Sequence, residues 1–280
     1  MKLTKMAVFF FLIFQHVSYS QGKINKAEEE LNKEKITTNT NHSISKSSKT
    51  YNDYDSRGNF SSDVIGGLFI QLFAYTAYGV AIESPFEMEH KASDAYLTKH
   101  PYAKTNTGHY SYEWNDNTEI FTTTISNRLI YESNSIYGNH LNLDLRFLKR
   151  LELELDFLQL WEHKTNVPKN SLGIYTALAK YNRVRTERFN ASWGLGVAYV
   201  AGNVNKLGFT YGLSAELFFK KPFSLESNFN QTLVNSETIN KFNGLLNYHK
   251  KQYKYILGYE HLKIASVPFS NVTAGFGISF

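Results

Sequence analysis

From residue 119 to the end of the chain, apolar and polar side chains alternate with a period of two. The runs are broken by short polar or turn-forming stretches. This pattern predicts β-strands with two unlike faces, over roughly 119–132, 136–148, 151–162, 171–182, 187–201, 206–219, 222–234, 238–249, 252–264 and 269–280. The strongest pair is Leu141-Asn-Leu-Asp-Leu-Arg-Phe147 and Leu151-Glu-Leu-Glu-Leu-Asp-Phe157, joined at Lys149-Arg150. In both, leucines and a phenylalanine take one face, while Asn142, Asp144, Arg146, Glu152, Glu154 and Asp156 take the other. An antiparallel hairpin with an apolar and a polar side follows.

Each run exceeds the ~9–11 residues that a tilted strand needs to cross a bilayer. Ten strands return both ends of the sheet to one side. The connections at 149–150, 183–186, 220–221 and 250–251 then fall at one rim, with residue 280. Those at 133–135, 163–170, 202–205, 235–237 and 265–268 fall at the other, including the longer Lys164-Thr-Asn-Val-Pro-Lys-Asn170. Short turns on one side and longer ones on the other are the outer-membrane arrangement. The fold class expected is therefore all-β: a closed antiparallel transmembrane barrel of ten strands, with eight or twelve as alternatives.

The last strand places Val272, Ala274, Phe276, Ile278 and Phe280 on one face, and Thr273, Gly275, Gly277 and Ser279 on the other. This strand resembles the C-terminal signature read by the outer-membrane assembly machinery, with Phe276, Ile278 and Phe280 as the assembly signal. Together with the strand pattern, it makes residues 119–280 resemble the broad class of small Gram-negative outer-membrane β-barrels. The resemblance implies the cell outer membrane, contact with outer-membrane lipid and lipopolysaccharide, and the assembly machinery as a partner during biogenesis. It carries no family motif, so it implies no functional residues.

The N-terminus fits that address. Lys2 and Lys5 precede the apolar run Met6–Phe14, and Ser18-Tyr-Ser20 supplies small residues before Gln21, as in a cleaved signal peptide over 1–20. Residues 21–62 are polar and of low complexity, and read as a disordered periplasmic tether, with a transient helix over Ala27–Lys35. Residues 63–118 combine an apolar segment at 64–82, which fits a helix or plug better than a strand, with an irregular, aromatic-containing connector that packs somewhere.

Composition narrows the chemistry. The chain has no cysteine, which removes disulfides, thiolate nucleophiles and cysteine-ligated metals. Loss of Lys2 and Lys5 takes the formal charge from +5 to +3, too small to argue for nucleic acid. Mean hydropathy of -0.37 and 15% aromatic residues suit a barrel, in which every second strand residue faces lipid. A soluble sandwich is the rival, but it would need polar residues where Leu213, Leu217, Phe219, Tyr253, Tyr255 and Leu257 stand.

The face opposite the lipid holds the candidate functional residues. Arg128, Arg146, Arg188, Lys241 and Lys254 are expected there against Asp144, Glu152, Glu154, Asp156, Glu216 and Glu226, with asparagines filling in. Small barrels fill their interiors with side chains. Gly194, Gly196, Gly208, Gly212, Gly258, Gly275 and Gly277 share that face, making room for Tyr175, the arginines or a plug. His163 and His261 fall near strand ends, where Ser171 or Ser270 could approach them, but no spacing reproduces a catalytic set. No metal or cofactor motif is present. The sequence thus points to a non-enzymatic barrel with a mostly filled polar lumen, acting as a structural or partner-binding envelope component. A narrow solute channel and a surface enzyme acting on lipid or peptide are the alternatives.

Overall fold

The computed structural model describes residues 22–33, 95–103, 106–133, 135–163 and 170–280. The expected signal peptide and the apolar 64–82 segment lie outside these residues.

Ten strands form the body of the molecule: β4 (Phe121–Ser133), β5 (Ile136–Phe147), β6 (Leu151–Glu162), β7 (Asn170–Arg185), β8 (Phe189–Val200), β9 (Lys206–Lys220), β10 (Phe223–Val234), β11 (Glu237–Lys250), β12 (Tyr253–Ile264) and β13 (Val267–Ser279). Each is antiparallel to its neighbours, and β13 returns to pair with β4, so the sheet closes into a barrel. The seam runs from Val272 opposite Tyr131 to Ser279 opposite Thr124. Phe280 extends it, exchanging both backbone hydrogen bonds with Thr123 at 2.7 and 2.9 Å. Closure leaves the barrel without an edge strand, which a lipid environment requires.

Alternation does the rest. Leu129, Leu155, Phe209, Leu257 and Phe276 point outward and are exposed, whereas Arg128, Glu154, Thr210, Ile256 and Thr273 point inward and are buried. An apolar exterior around a polar interior inverts a soluble fold. Twelve residues of β5, at ~3.3 Å each and a tilt near 40°, reach roughly the 30 Å thickness of a bilayer core. Among the described residues no helix is long and apolar enough to cross a membrane.

Two further pieces sit at the two mouths. A helix, α1 (Lys23–Asn32), lies among the connections after β4, β6, β8, β10 and β12. A small sheet, β1 (Tyr96–Thr98) between β2 (Tyr110–Ser111) and β3 (Thr118–Glu119), lies at the mouth that holds Phe280. The expected disorder of 21–62 therefore does not extend to Lys23–Asn32. Ile24, Ala27, Glu28 and Leu31 recur at helical spacing and are buried, so tertiary burial fixes a segment too polar to order alone. Because α1 and Phe280 are at opposite mouths, a tether on the side of Phe280 does not include α1.

Candidate functional site

The lumen is built in three layers. At the mouth of α1 the inner wall is apolar: Ile130, Leu160, Leu172, Val200, Ile264 and Phe269 surround Ile24, Ala27 and Leu31. Polar contacts seat the helix over this patch. The Glu162 carboxylate accepts hydrogen bonds from the backbone N–H groups of Gly22, Lys23 and Ile24, at 2.6, 3.2 and 3.1 Å. A barrel carboxylate thus caps the positive end of the helix, satisfying donors that no residue of α1 can reach. Glu28 accepts from Asn203, Lys23 pairs with Glu132 at 2.7 Å, and Glu30 accepts from Ser266. Desolvation pushes the Glu30 carboxyl up, but the Ser266 hydrogen bonds, with Lys26 and Lys33 nearby, outweigh it and hold the pKa below the usual carboxylate value.

The middle layer is ionic. His140, fully buried, places Nδ1 2.6 Å from Glu260 and Nε2 against Asp156. Arg128 donates to Glu260 at 2.7 Å, and Lys241 pairs with the other oxygen of Asp156. Further along β6 toward the mouth of Phe280, Lys180 bridges Glu152 and Glu154, and Arg146 donates to Glu152 at 2.8 Å. Asp144 faces the same cluster across a cavity of about 40 Å³, room for a few water molecules and too small for a solute. The carboxylate oxygens of Asp144, Glu152 and Glu154 converge within 4.8 Å, but Lys180 already supplies the cation between two of them.

The third layer meets the small sheet. His109 Nε2 lies 3.0 Å from Glu216, whose other oxygen accepts from Ser224, and Ser224 contacts His249 at 2.8 Å. Tyr102 and Tyr110 donate to the backbone carbonyls of Phe223 and Lys149 at 2.7 and 3.0 Å. Burial and the nearby Glu216 charge push the Tyr102 phenol up to about 12, so it remains a donor. Gly108 lies directly on Phe218: a Cβ there would fall 2.3 Å from the ring. Burial first, and Arg146 second, lower the pKa of His109, against the opposing pull of Glu216. Its contact with Glu216 is therefore a hydrogen bond from a neutral ring at neutral pH.

Of the residues expected in the lumen, Arg128, Asp144, Arg146, Glu152, Glu154, Asp156, Glu216, Glu226, Lys241 and Lys254 are there; Lys254 reaches Glu226 at 3.4 Å. Arg188 is not. It lies exposed in the turn after β7: that strand runs on to Arg185, so the turn falls at 186–188 rather than 183–186 and β8 begins only at Phe189, while a bulge between Asn182 and Val184 turns Arg185 inward. Tyr175 also departs from expectation: it faces outward, stacked on Phe157 with ring centroids 4.5 Å apart. The inward glycines make room instead for Lys180, at Gly194, and for Arg128, at Gly275. His140, Lys180 and Glu260 were absent from the expected set, although the alternation that selects Asp144 also selects His140. Ser270 and His261 do meet, Oγ to Nδ1 at 3.2 Å, with the Tyr259 hydroxyl 3.1 Å from Oγ. They lie on the outer wall, and among the described residues no carboxylate hydrogen-bonds this histidine to orient it as a base. His163 is exposed at the end of β6 and joins no such pair among the described residues.

A closed, ten-stranded antiparallel barrel with an apolar exterior and an ion-paired interior defines a membrane-spanning protein of the outer-membrane β-barrel class. No family model matches the chain, and no curated protein is similar to it. Among solved structures it is similar to the KdgM porin in complex with disordered oligogalacturonate, at 12% identity over 56% of this chain and 99% of that one, with a TM-score of 0.37. It is also similar to the COG4313 outer membrane channel from Pseudomonas putida F1, at 10% identity over 60% and 99%, TM-score 0.38. The Yersinia pestis outer membrane protein Ail in a phospholipid bilayer nanodisc gives 15% identity over 57% and 99%, TM-score 0.33. At these identities the residues of the lumen are this chain's own.

Proposed function

We propose that this protein is a non-conducting, non-catalytic outer-membrane barrel that serves as a structural or partner-binding component of the envelope. The observation that carries this reading is the lumen: closed by α1 at one mouth, by the small sheet at the other, and cross-linked by ion pairs between them. The buried charges match one another closely, so any through-path would require several pairs to part at once. Separating one partner of a buried pair costs about 3–5 kcal/mol. With Phe280 toward the periplasm, α1 faces outward and presents Lys26, Glu29, Asn32 and Lys33 as a small charged surface for a partner.

Planar-bilayer recording tests this. Purified protein inserted in the bilayer should show no sustained conductance, and deletion of residues 23–32 should leave it closed, since the ionic layer remains. A steady conductance in the intact protein would overturn the reading. Conductance appearing only after the deletion would favour the channel alternative, with α1 as its plug.

A further inference from the structure

The two rims differ sharply in charge. At the mouth with Phe280, three hairpin turns carry adjacent cations, Lys149-Arg150, Lys220-Lys221 and Lys250-Lys251, and the fourth carries Arg188. Among the described residues at the other mouth, the short turns 201–205, 235–236 and 265–266 carry no charge.

Below the cationic rim lies an aromatic belt on the outer wall. Phe219 stacks near Phe223, with centroids 6.4 Å apart, Phe223 meets Tyr248 at 5.4 Å, and Tyr248 meets Tyr255 at 6.1 Å. Such belts sit at the boundary between hydrocarbon and headgroup, so residues just beyond them stand at phosphate depth. There, between the turn after β7, the end of β9 with its turn, and Asn106 of the connector, a groove of about 340 Å³ opens, lined by Arg188, Phe219, Lys220 and Lys221. Its volume falls in the ~300–1,000 Å³ range of ligand sites. Arg188, Lys220 and Lys221 are exposed, and among the described residues none is in an ion pair. Glu187, the acid of that turn, is engaged instead with the backbone N–H of Tyr112.

We propose that this groove binds the headgroup of an anionic phospholipid in the leaflet at Phe280's mouth. Arg188, Lys220 and Lys221 hold the phosphate, and an acyl chain runs down beside Phe219. Three unpaired cations around one concavity supply what a phosphodiester needs: charge, several donors and, from arginine, a planar fork. The proposal rests on the barrel lying in a membrane and does not depend on whether the lumen conducts.

Native mass spectrometry of the detergent-released protein with equal amounts of dioleoylphosphatidylglycerol and dioleoylphosphatidylcholine tests it. The intact protein should keep the glycerol lipid in preference, by about tenfold for a three-cation site. R188Q/K220Q/K221Q should bring the two lipids to parity, R188K/K220R/K221R should restore the preference, and K206Q/K263Q, at the other mouth, should not disturb it. Equal retention by the intact protein, or a preference that survives the triple glutamine variant, would overturn the site. A gel-mobility shift on boiling distinguishes the two failures: a folded barrel without lipid preference sinks this proposal alone, and absence of the shift in the intact protein sinks the membrane reading beneath it.

Discussion

The two mouths of the barrel are closed by different physics. At one, an amphipathic helix lays Ile24, Ala27 and Leu31 onto an apolar wall. At the other, the three-stranded sheet and the segment between β1 and β2 are held by hydrogen bonds to barrel carbonyls and by edge-to-face rings, with Tyr102 of that segment 5.7 Å from Phe218 and 5.6 Å from His249. Apolar burial is non-directional and tolerates small shifts, so the apolar part of the first seal depends on area, with the Glu162 cap added to it. Hydrogen bonds and close ring contacts depend on geometry, so the second seal is vulnerable to displacements of an ångström or two.

The sharpest way to break this contrast is to charge the first seal. Leu31→Asp buries an unpaired carboxylate where a fully buried leucine stood, and should cost about 3–5 kcal/mol of helix docking. Hydrogen exchange at residues 23–32 should rise to that of an undocked peptide, while exchange at 95–119 stays slow. Gly108→Val attacks the second seal through shape alone. With a Cβ 2.3 Å from the Phe218 ring, something must move, at about 1–3 kcal/mol. Proteolysis within 95–119 should accelerate with α1 still protected; if both mouths loosen together, their independence is refuted.

Glu162→Gln sharpens the comparison by testing the polar part of the helix seal. It keeps the shape and removes the charge at the helix N-terminus, and should weaken docking by about 0.5–2 kcal/mol, read as faster exchange at Ile24 and Asn25. The smallest effect expected is that of pH. His109 has its folded pKa lowered from 6.5, so its contribution to docking is complete above about 6.5 and declines as the pH falls below it, where the undocked ring takes up a proton more readily. Glu30 is also lowered, from 4.5, so its contribution to the helix seal is kept above that value and lost only in more acidic solution. Between pH 6.5 and 5, protection at 95–119 should fall and protection at 23–32 should hold. A His109→Gln variant should flatten the first trend.

Much of the architecture was legible beforehand. The hairpin at 141–157 appears with Leu141 opposite Phe157 and Asp144 opposite Glu154, as its alternation requires. All ten strands fall within a few residues of their expected bounds. Arg188 has the inward phase of Asn190 but falls outside the lumen because β7 runs three residues past its expected end, to Arg185, and the polar run Arg183-Val-Arg-Thr-Glu-Arg188 gives no sign of where within it the turn falls. The connector at 95–119 could not be placed because its strands are two or three residues long, below the length at which periodicity has meaning.

By itself, the sequence determined the class of fold, a closed antiparallel barrel of ten strands with eight or twelve as alternatives, and which side of each strand meets lipid. Period-two alternation and turn composition are local properties, and closure follows from them because an open edge is untenable in lipid. Only the tertiary structure decided how the charges of the lumen pair and how it is stoppered. Which carboxylate meets which cation depends on pairing across strands far apart in sequence, as for Asp156 with Lys241. The site where α1 rests depends on an apolar ring assembled from five hairpins, a surface that exists only once the barrel has closed.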